Sequence, residues 1–128
     1  AKAARAMVGA VNDAVEAVIA RTADDVLRPL LVLVCREVLA AARLTVDELG
    51  LVVLHQANTR IIDAAVEDLN LPREKVLMQI ERYGNTSAGS IPLVLDEANR
   101  TGRLRRGDHI LISGFGAGLA WGTGVLRW

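Results

Sequence analysis

Cysteine is almost missing from this chain. Among 128 residues only Cys35 carries a thiol, so no disulfide can close within it, and a reducing compartment is allowed. Aromatic residues make up 3% of the chain while apolar residues make up 52%. The core must therefore come from Val, Leu, Ile and Ala, as in a buried α/β protein of one domain. No excess of one charge exists, with 15 basic against 15 acidic residues. That balance argues against nucleic acid as a partner, because phosphate neutralisation needs a basic surplus. The longest apolar run, Leu30 to Cys35, falls far short of the roughly 20 residues that span a bilayer. The start, Ala1-Lys2-Ala3-Ala4-Arg5, is interrupted by charge too often for the apolar region of a signal peptide. With two histidines, one cysteine and no clustered carboxylates, no metal site is expected. These absences predict a soluble, cytoplasmic domain without a membrane or nucleic-acid partner.

A nucleophile is also hard to find. Thr86 and Ser87 do not lie in a Gly-x-Ser-x-Gly elbow, which sets an α/β hydrolase aside. Cys35 sits inside Leu33-Val34-Cys35-Arg36, within a helical pattern that gives it no neighbouring base or helix N-terminus. It reads as a small apolar core residue. The run Gly114-Phe115-Gly116-Ala117-Gly118 fails as a dinucleotide fingerprint. Counted from Gly114 the sixth position is Leu119, counted from Gly116 it is Trp121, and a strand follows instead of a helix. Its glycines suit close approach of backbone to a ligand, or positive φ in a tight turn.

What is present alternates between helical and strand patterns. Residues Ala3 to Ala20 carry polar residues at helical intervals, and a second helix runs from about Pro29 to Arg43. Thr45 and Glu48 have the spacing of a capping box and open a short helical turn. Leu49 to Leu54 is a compact apolar run that reads as a buried parallel strand ending at His55. Ile61 to Leu69 is an amphipathic helix, Val76 to Ile80 a second strand, and Ile91 to Ala98 a helix stopped by Gly102. His109 to Ser113 is a third strand, and Leu119 to Trp128 a last one. With no room for a crossover helix, that last strand must pair antiparallel to its predecessor. The expected fold is α/β: a mixed, mainly parallel sheet covered by helices, with the last strand antiparallel.

Three motifs then converge on one edge. His55, the Tyr83 to Ser87 loop and the Gly114 to Gly118 loop all fall at or beyond strand ends, where open α/β sheets gather ligands. A neutral imidazole N–H from His55 and an amide N–H from Asn85 can both donate to one oxygen. That arrangement suits a malonyl thioester losing carbon dioxide, whose carbonyl oxygen gathers negative charge in the transition state. The plainer readings are a strand-end histidine satisfied by backbone, and an asparagine that forms a turn or caps a helix.

The residues also resemble a known family. His55-Gln56-Ala57-Asn58-Thr59-Arg60-Ile61, then Tyr83-Gly84-Asn85-Thr86-Ser87-Ala88-Gly89-Ser90-Ile91-Pro92, then Gly114-Phe115-Gly116-Ala117-Gly118-Leu119-Ala120-Trp121-Gly122, resemble the C-terminal half of β-ketoacyl-acyl carrier protein synthase III. This is a member of the thiolase-like superfamily. The resemblance covers residues 36 to 128 and leaves 1 to 35 as a helical segment without a clear match. It implies decarboxylative condensation of malonyl-acyl carrier protein with an acyl-CoA primer in fatty-acid synthesis, with no cofactor. It also implies His55 and Asn85 as the decarboxylation pair, and Phe115 and Gly116 beside the nucleophile, where a backbone N–H holds the acyl-enzyme oxyanion. Arg60 would meet acyl carrier protein, its alternative being a solvated helix-face arginine. The family's nucleophilic cysteine comes from an N-terminal half, which this sequence does not contain and Cys35 does not match. The resemblance therefore implies a chain that partners an N-terminal synthase half, in a homodimer when complete. Position 43, where the family commonly has Gly, is Arg. A chalcone-synthase-like half would have Pro-Gly-Gly after the histidine, where this chain has Gln56-Ala57-Asn58. A non-catalytic fragment that binds carrier protein or an intact synthase is the alternative from a different class.

Overall fold

The computed structural model describes residues 23–116 and 120–128. The helix read over Ala3 to Ala20 lies outside them. A π-helical turn, Ala23–Leu27, leads into helix α1, Arg28–Ala42. Pro29 stands in the first turn of α1, where a missing N–H breaks no helical hydrogen bond. Leu31, Val32, Cys35 and Leu39 form the buried face of α1, at the helical spacing of an amphipathic stripe. The helix closes on Arg43, which adopts a left-handed conformation (φ 56°, ψ 39°). The N–H groups of Arg43 and Leu44 return to the carbonyls of Ala40 and Leu39, both at 3.0 Å, a Schellman closure in which glycine is the usual residue. The turn Val46–Glu48 follows as expected, with the backbone N–H and hydroxyl of Thr45 both donating to the Glu48 carboxylate (2.7 and 2.9 Å).

Strand β1, Leu49–Leu54, is buried at every position but Gly50, the mark of a strand covered on both faces. Helix α2, Thr59–Asp68, starts at Asn58, whose side-chain oxygen accepts from the Arg60 N–H at 2.8 Å. The short helix α3, Ile80–Tyr83, and the helix α4, Ser90–Arg100, precede strands β2, His109–Gly116, and β3, Ala120–Arg127. β1 pairs with β2 in parallel from Leu51↔Ile110 to Leu54↔Ser113, and β2 pairs with β3 antiparallel from His109↔Arg127 to Gly116↔Ala120. The sheet is thus mixed, in the order β1-β2-β3, with the last strand antiparallel as expected.

The expected strand over Val76 to Ile80 does not form. Val76 makes a single parallel bridge to Val52, and Ile80 already belongs to α3. The run has strand composition, but its next ladder donor is diverted: the Gln79 N–H is bound at 2.9 Å by the side-chain oxygen of Gln56. A side chain has replaced a neighbouring strand as acceptor.

Alternation along β1 and β2 divides the core into two layers. Val52, Leu54 and Leu111 pack with Leu31, Cys35 and Leu39 of α1 and with Ile62, Ala65 and Val66 of α2. Leu51, Val53 and Ile110 face the other way, against Val94 and Ala98 of α4. The sheet is held between helices on both faces. The parallel pairing of β1 with β2 ends at Leu54↔Ser113, with His55 one residue beyond it and Phe115 two residues further along β2.

Candidate active site

His55 is the first residue beyond β1. Its backbone N–H donates to the Ser113 carbonyl at 2.8 Å, which extends the β1–β2 ladder by one residue and fixes where the side chain leaves the sheet. The imidazole is held at Nδ1 by the Ser90 hydroxyl at 2.7 Å. It meets the Phe115 ring edge-on, with centroids 5.5 Å apart and planes at 77°. Burial disfavours the charged ring and lowers its pKa below the usual histidine value, so His55 is neutral at pH 7.

Asn85 approaches from the loop between α3 and α4. Its side-chain oxygen accepts from the Ser87 N–H at 2.9 Å. That bond identifies which end of the amide is oxygen and leaves the NH2 group to donate elsewhere. The loop is built from backbone that most residues avoid. Gly84 has φ 67° with open space where a Cβ would go, so conformation and not crowding selects glycine there. Ser87, two residues past Asn85, is left-handed at φ 51°, a local strain that keeps its N–H beneath the Asn85 oxygen.

His55, Asn85, Ser87, Ala88, Ile91, Gly114, Phe115 and Gly116 line one open recess of about 390 Å³. Of the residues read from sequence as site candidates, the fold brings His55, Asn85, Phe115 and Gly116 to this recess, while Arg60 does not line it. Arg60 is exposed on the first turn of α2, and its guanidinium makes no ion pair with a described residue. The glycine stretch differs from the loop expected after a strand ending at Ser113. β2 continues to Gly116, and neither Gly114 nor Gly116 has positive φ. A Cβ on Gly114 would lie 3.4 Å from the Ile91 methyl and 3.8 Å from the His55 Cβ, on the wall between them. Gly118 lies outside the described residues.

Two residues of the site carried no role in the sequence reading. Gln56 is buried and spans two segments, donating to the Leu54 carbonyl at 2.7 Å and accepting from the Gln79 N–H at 2.9 Å. It ties the end of β1 to the segment that leads into Asn85. Ser90, at the start of α4, contacts both His55 and the backbone N–H of Gln56. Neither residue has a local pattern that reveals its partner.

Cys35 lies elsewhere, in the core under α1, with no exposed surface. Burial pushes its thiol up to about 11 against a partial opposing effect from a hydrogen bond with Ser113. A thiol so placed is not a nucleophile at neutral pH. Among the described residues no three His, Cys, Asp or Glu side chains gather as metal ligands, and no helix is long and apolar enough to cross a membrane.

Residues 39–128 match the family described as 3-oxoacyl-acyl-carrier-protein (ACP) synthase III C terminal. A β-ketoacyl-acyl-carrier-protein synthase III of Rhodopirellula baltica is 63% identical over 93 residues, 73% of this chain and 27% of that protein. The crystal structure of 3-oxoacyl-acyl-carrier-protein synthase III from Aquifex aeolicus superposes with a TM-score of 0.77 at 50% identity, over 79% of this chain and 33% of that one. The corresponding structure from Pseudomonas aeruginosa gives 0.76 at 41% identity, over 88% and 34%. The chain spans about a quarter to a third of the length of the relatives it matches.

Proposed function

This chain belongs to the 3-oxoacyl-acyl-carrier-protein synthase III family, whose C-terminal region it carries, and from that premise we propose that it supplies the decarboxylating side of a two-part acyltransferase site. In this reading malonyl-acyl carrier protein enters the recess with its thioester oxygen between the Nε2–H of His55 and the side-chain NH2 of Asn85. The bond from the malonyl α-carbon to its carboxylate breaks, carbon dioxide leaves, and the electron pair passes into the thioester carbonyl as an enolate. Two neutral, fixed donors hold that oxygen more strongly as its charge grows. The enolate carbon attacks an acyl group carried from acyl-CoA on a cysteine, which an N-terminal half provides. The bond to that sulfur breaks, and the thiolate departs as the 3-oxoacyl product forms. Phe115 and Gly116 border the oxyanion of the acyl-enzyme, and Arg60 meets the acidic carrier protein. The substrates supply all the electrons, so no cofactor takes part.

One observation carries this reading. His55 and Asn85 line the same recess, and each has its other polar atom tied back into the protein, at Ser90 and at the Ser87 N–H. What remains free is the NH2 group of Asn85 and the Nε2 of His55, a second donor when Nδ1 is the unprotonated nitrogen. The buried position of Cys35 favours a second reading, in which the chain binds carrier protein or a synthase without catalysing on its own.

Asn85→Asp tests the pair with little change of shape, because it replaces the free donor with an acceptor. Carbon dioxide release from malonyl-acyl carrier protein, measured with a nucleophile-bearing half present, should fall by roughly 10²- to 10³-fold. An unchanged rate in the folded variant would remove Asn85 from the chemistry.

A further inference from the structure

The recess residues explain how His55 is placed but leave open which of its nitrogens carries the proton. We infer that Ser90 is a positioning residue that fixes His55 as the Nε2–H tautomer, with its own orientation set by the backbone of Gln56. This deepens the reading of His55 as a donor and rests on that reading for its functional meaning.

The protons around Ser90 can be counted. A serine hydroxyl has one hydrogen and two lone pairs. The Gln56 N–H occupies one lone pair at 3.2 Å. The other polar partner is His55 Nδ1 at 2.7 Å. Ser90 is 2% exposed, so bulk water does not serve it. If Nδ1 carried a proton, both lone pairs of Ser90 would be filled and its hydroxyl hydrogen would point at nothing, a buried donor left unpaired. If Nδ1 is bare, Ser90 donates to it and accepts from Gln56, and its hydroxyl hydrogen is paired. The neutral ring then carries its single proton on Nε2.

The geometry links this arrangement to three separate elements. Gln56 N–H lies just past β1, Ser90 opens α4, and Phe115 on β2 meets the ring edge-on and limits its rotation. Any change that turned the Ser90 hydroxyl would release the tautomer without moving the histidine backbone, which stays bound to the Ser113 carbonyl.

The test is ¹⁵N NMR of the His55 ring in the full chain at neutral pH, read from long-range nitrogen–proton correlations. Free imidazole already leans toward the Nε2–H form, so the comparison with Ser90→Ala decides more than the wild type alone. The wild type should show one tautomer, with Nδ1 unprotonated and a slowly exchanging Ser90 hydroxyl proton. Ser90→Ala should yield a tautomer mixture, and Ser90→Thr, which restores a hydroxyl, should return the single form. A protonated Nδ1 in the wild type, or a Ser90→Ala spectrum identical to it, overturns the inference. Should Ser90→Ala not fold, the wild-type hydroxyl proton decides: its protection supports the inference, its rapid exchange overturns it. In the complemented enzyme, Ser90→Ala should lower the rate of carbon dioxide release on the order of tenfold at unchanged KM. The two levels separate cleanly. Release that is insensitive to His55 defeats the functional reading and leaves the tautomer result standing, whereas release that needs His55 but ignores Ser90 defeats only this inference.

Discussion

Cys35 and His55 are both partly or wholly withdrawn from water, and the same desolvation moves them in opposite directions. It raises the thiol to about 11 and lowers the imidazole, because in each case the charged form is the one penalised. For His55 the outcome is a neutral donor at pH 7. For Cys35 it is an inert thiol, and a pH-dependent one. The folded chain holds the Cys35 proton up to about pH 11, whereas an unperturbed thiol releases it near 9. The stabilisation is complete below pH 9 and is lost as pH rises toward 11, since only the unfolded state gains by ionising there. Across that window the stability difference between wild type and Cys35→Ala should shrink by on the order of 2 kcal/mol. Urea melts at stepped pH measure it, and a constant difference would show that the thiol is not held protonated. At this scale the sequence was informative about residue type and poor about partners. His55 and Asn85 could be singled out by their positions beyond strand ends, but the bond from His55 to Ser90 joins residues 35 apart. Nothing in the local pattern at Ser90 points to it.

Among the elements, legibility followed burial. β1 was readable to its end residues because both of its faces are covered and an unbroken apolar run has few other uses. The helices α2 and α4 followed from apolar periodicity, with ends displaced by one or two residues at the caps. Val76 to Ile80 was misread because strand composition describes a preference, and Gln56 overrides it from outside the segment. β2 ran three residues longer than read, since Gly114 and Gly116 take extended backbone in place of a turn. The end of α1 holds a testable strain. Arg43 occupies a left-handed position that a side chain enters at a cost. Arg43→Gly should raise stability by about 1 kcal/mol, after the entropic penalty of glycine in the unfolded chain is subtracted. Denaturant titration measures this, and a loss of stability would mean that the arginine side chain contributes more than the backbone relief.

At the scale of the whole molecule, the described residues form two helical layers around a three-stranded sheet whose strand ends make one side of a recess. The chain spans about a quarter to a third of its relatives' length. Beyond the recess, the edge strand β3 carries the exposed side chains Trp121 and Leu126, and Trp128 follows just past its end, large apolar groups of the kind that mark contact surfaces. Partner recognition by charge is a property of this scale. With 15 positive and 15 negative residues, any attraction for an acidic carrier protein must be local and not a consequence of net charge. Arg60→Glu should therefore weaken carrier-protein binding, most at low salt, as calorimetry or fluorescence anisotropy would record. Equal affinities for the two forms would return Arg60 to the solvated surface. The proposed function depends most on His55 acting as a donor to a thioester oxygen. Carbon dioxide release from malonyl-acyl carrier protein, measured for this chain combined with a nucleophile-bearing half, tests it most directly with His55→Ala as the comparison. The predicted result is release that drops by roughly 10²- to 10³-fold in the variant while its fold is retained. Release undiminished by His55→Ala, or no release from the folded wild-type mixture, would contradict the account.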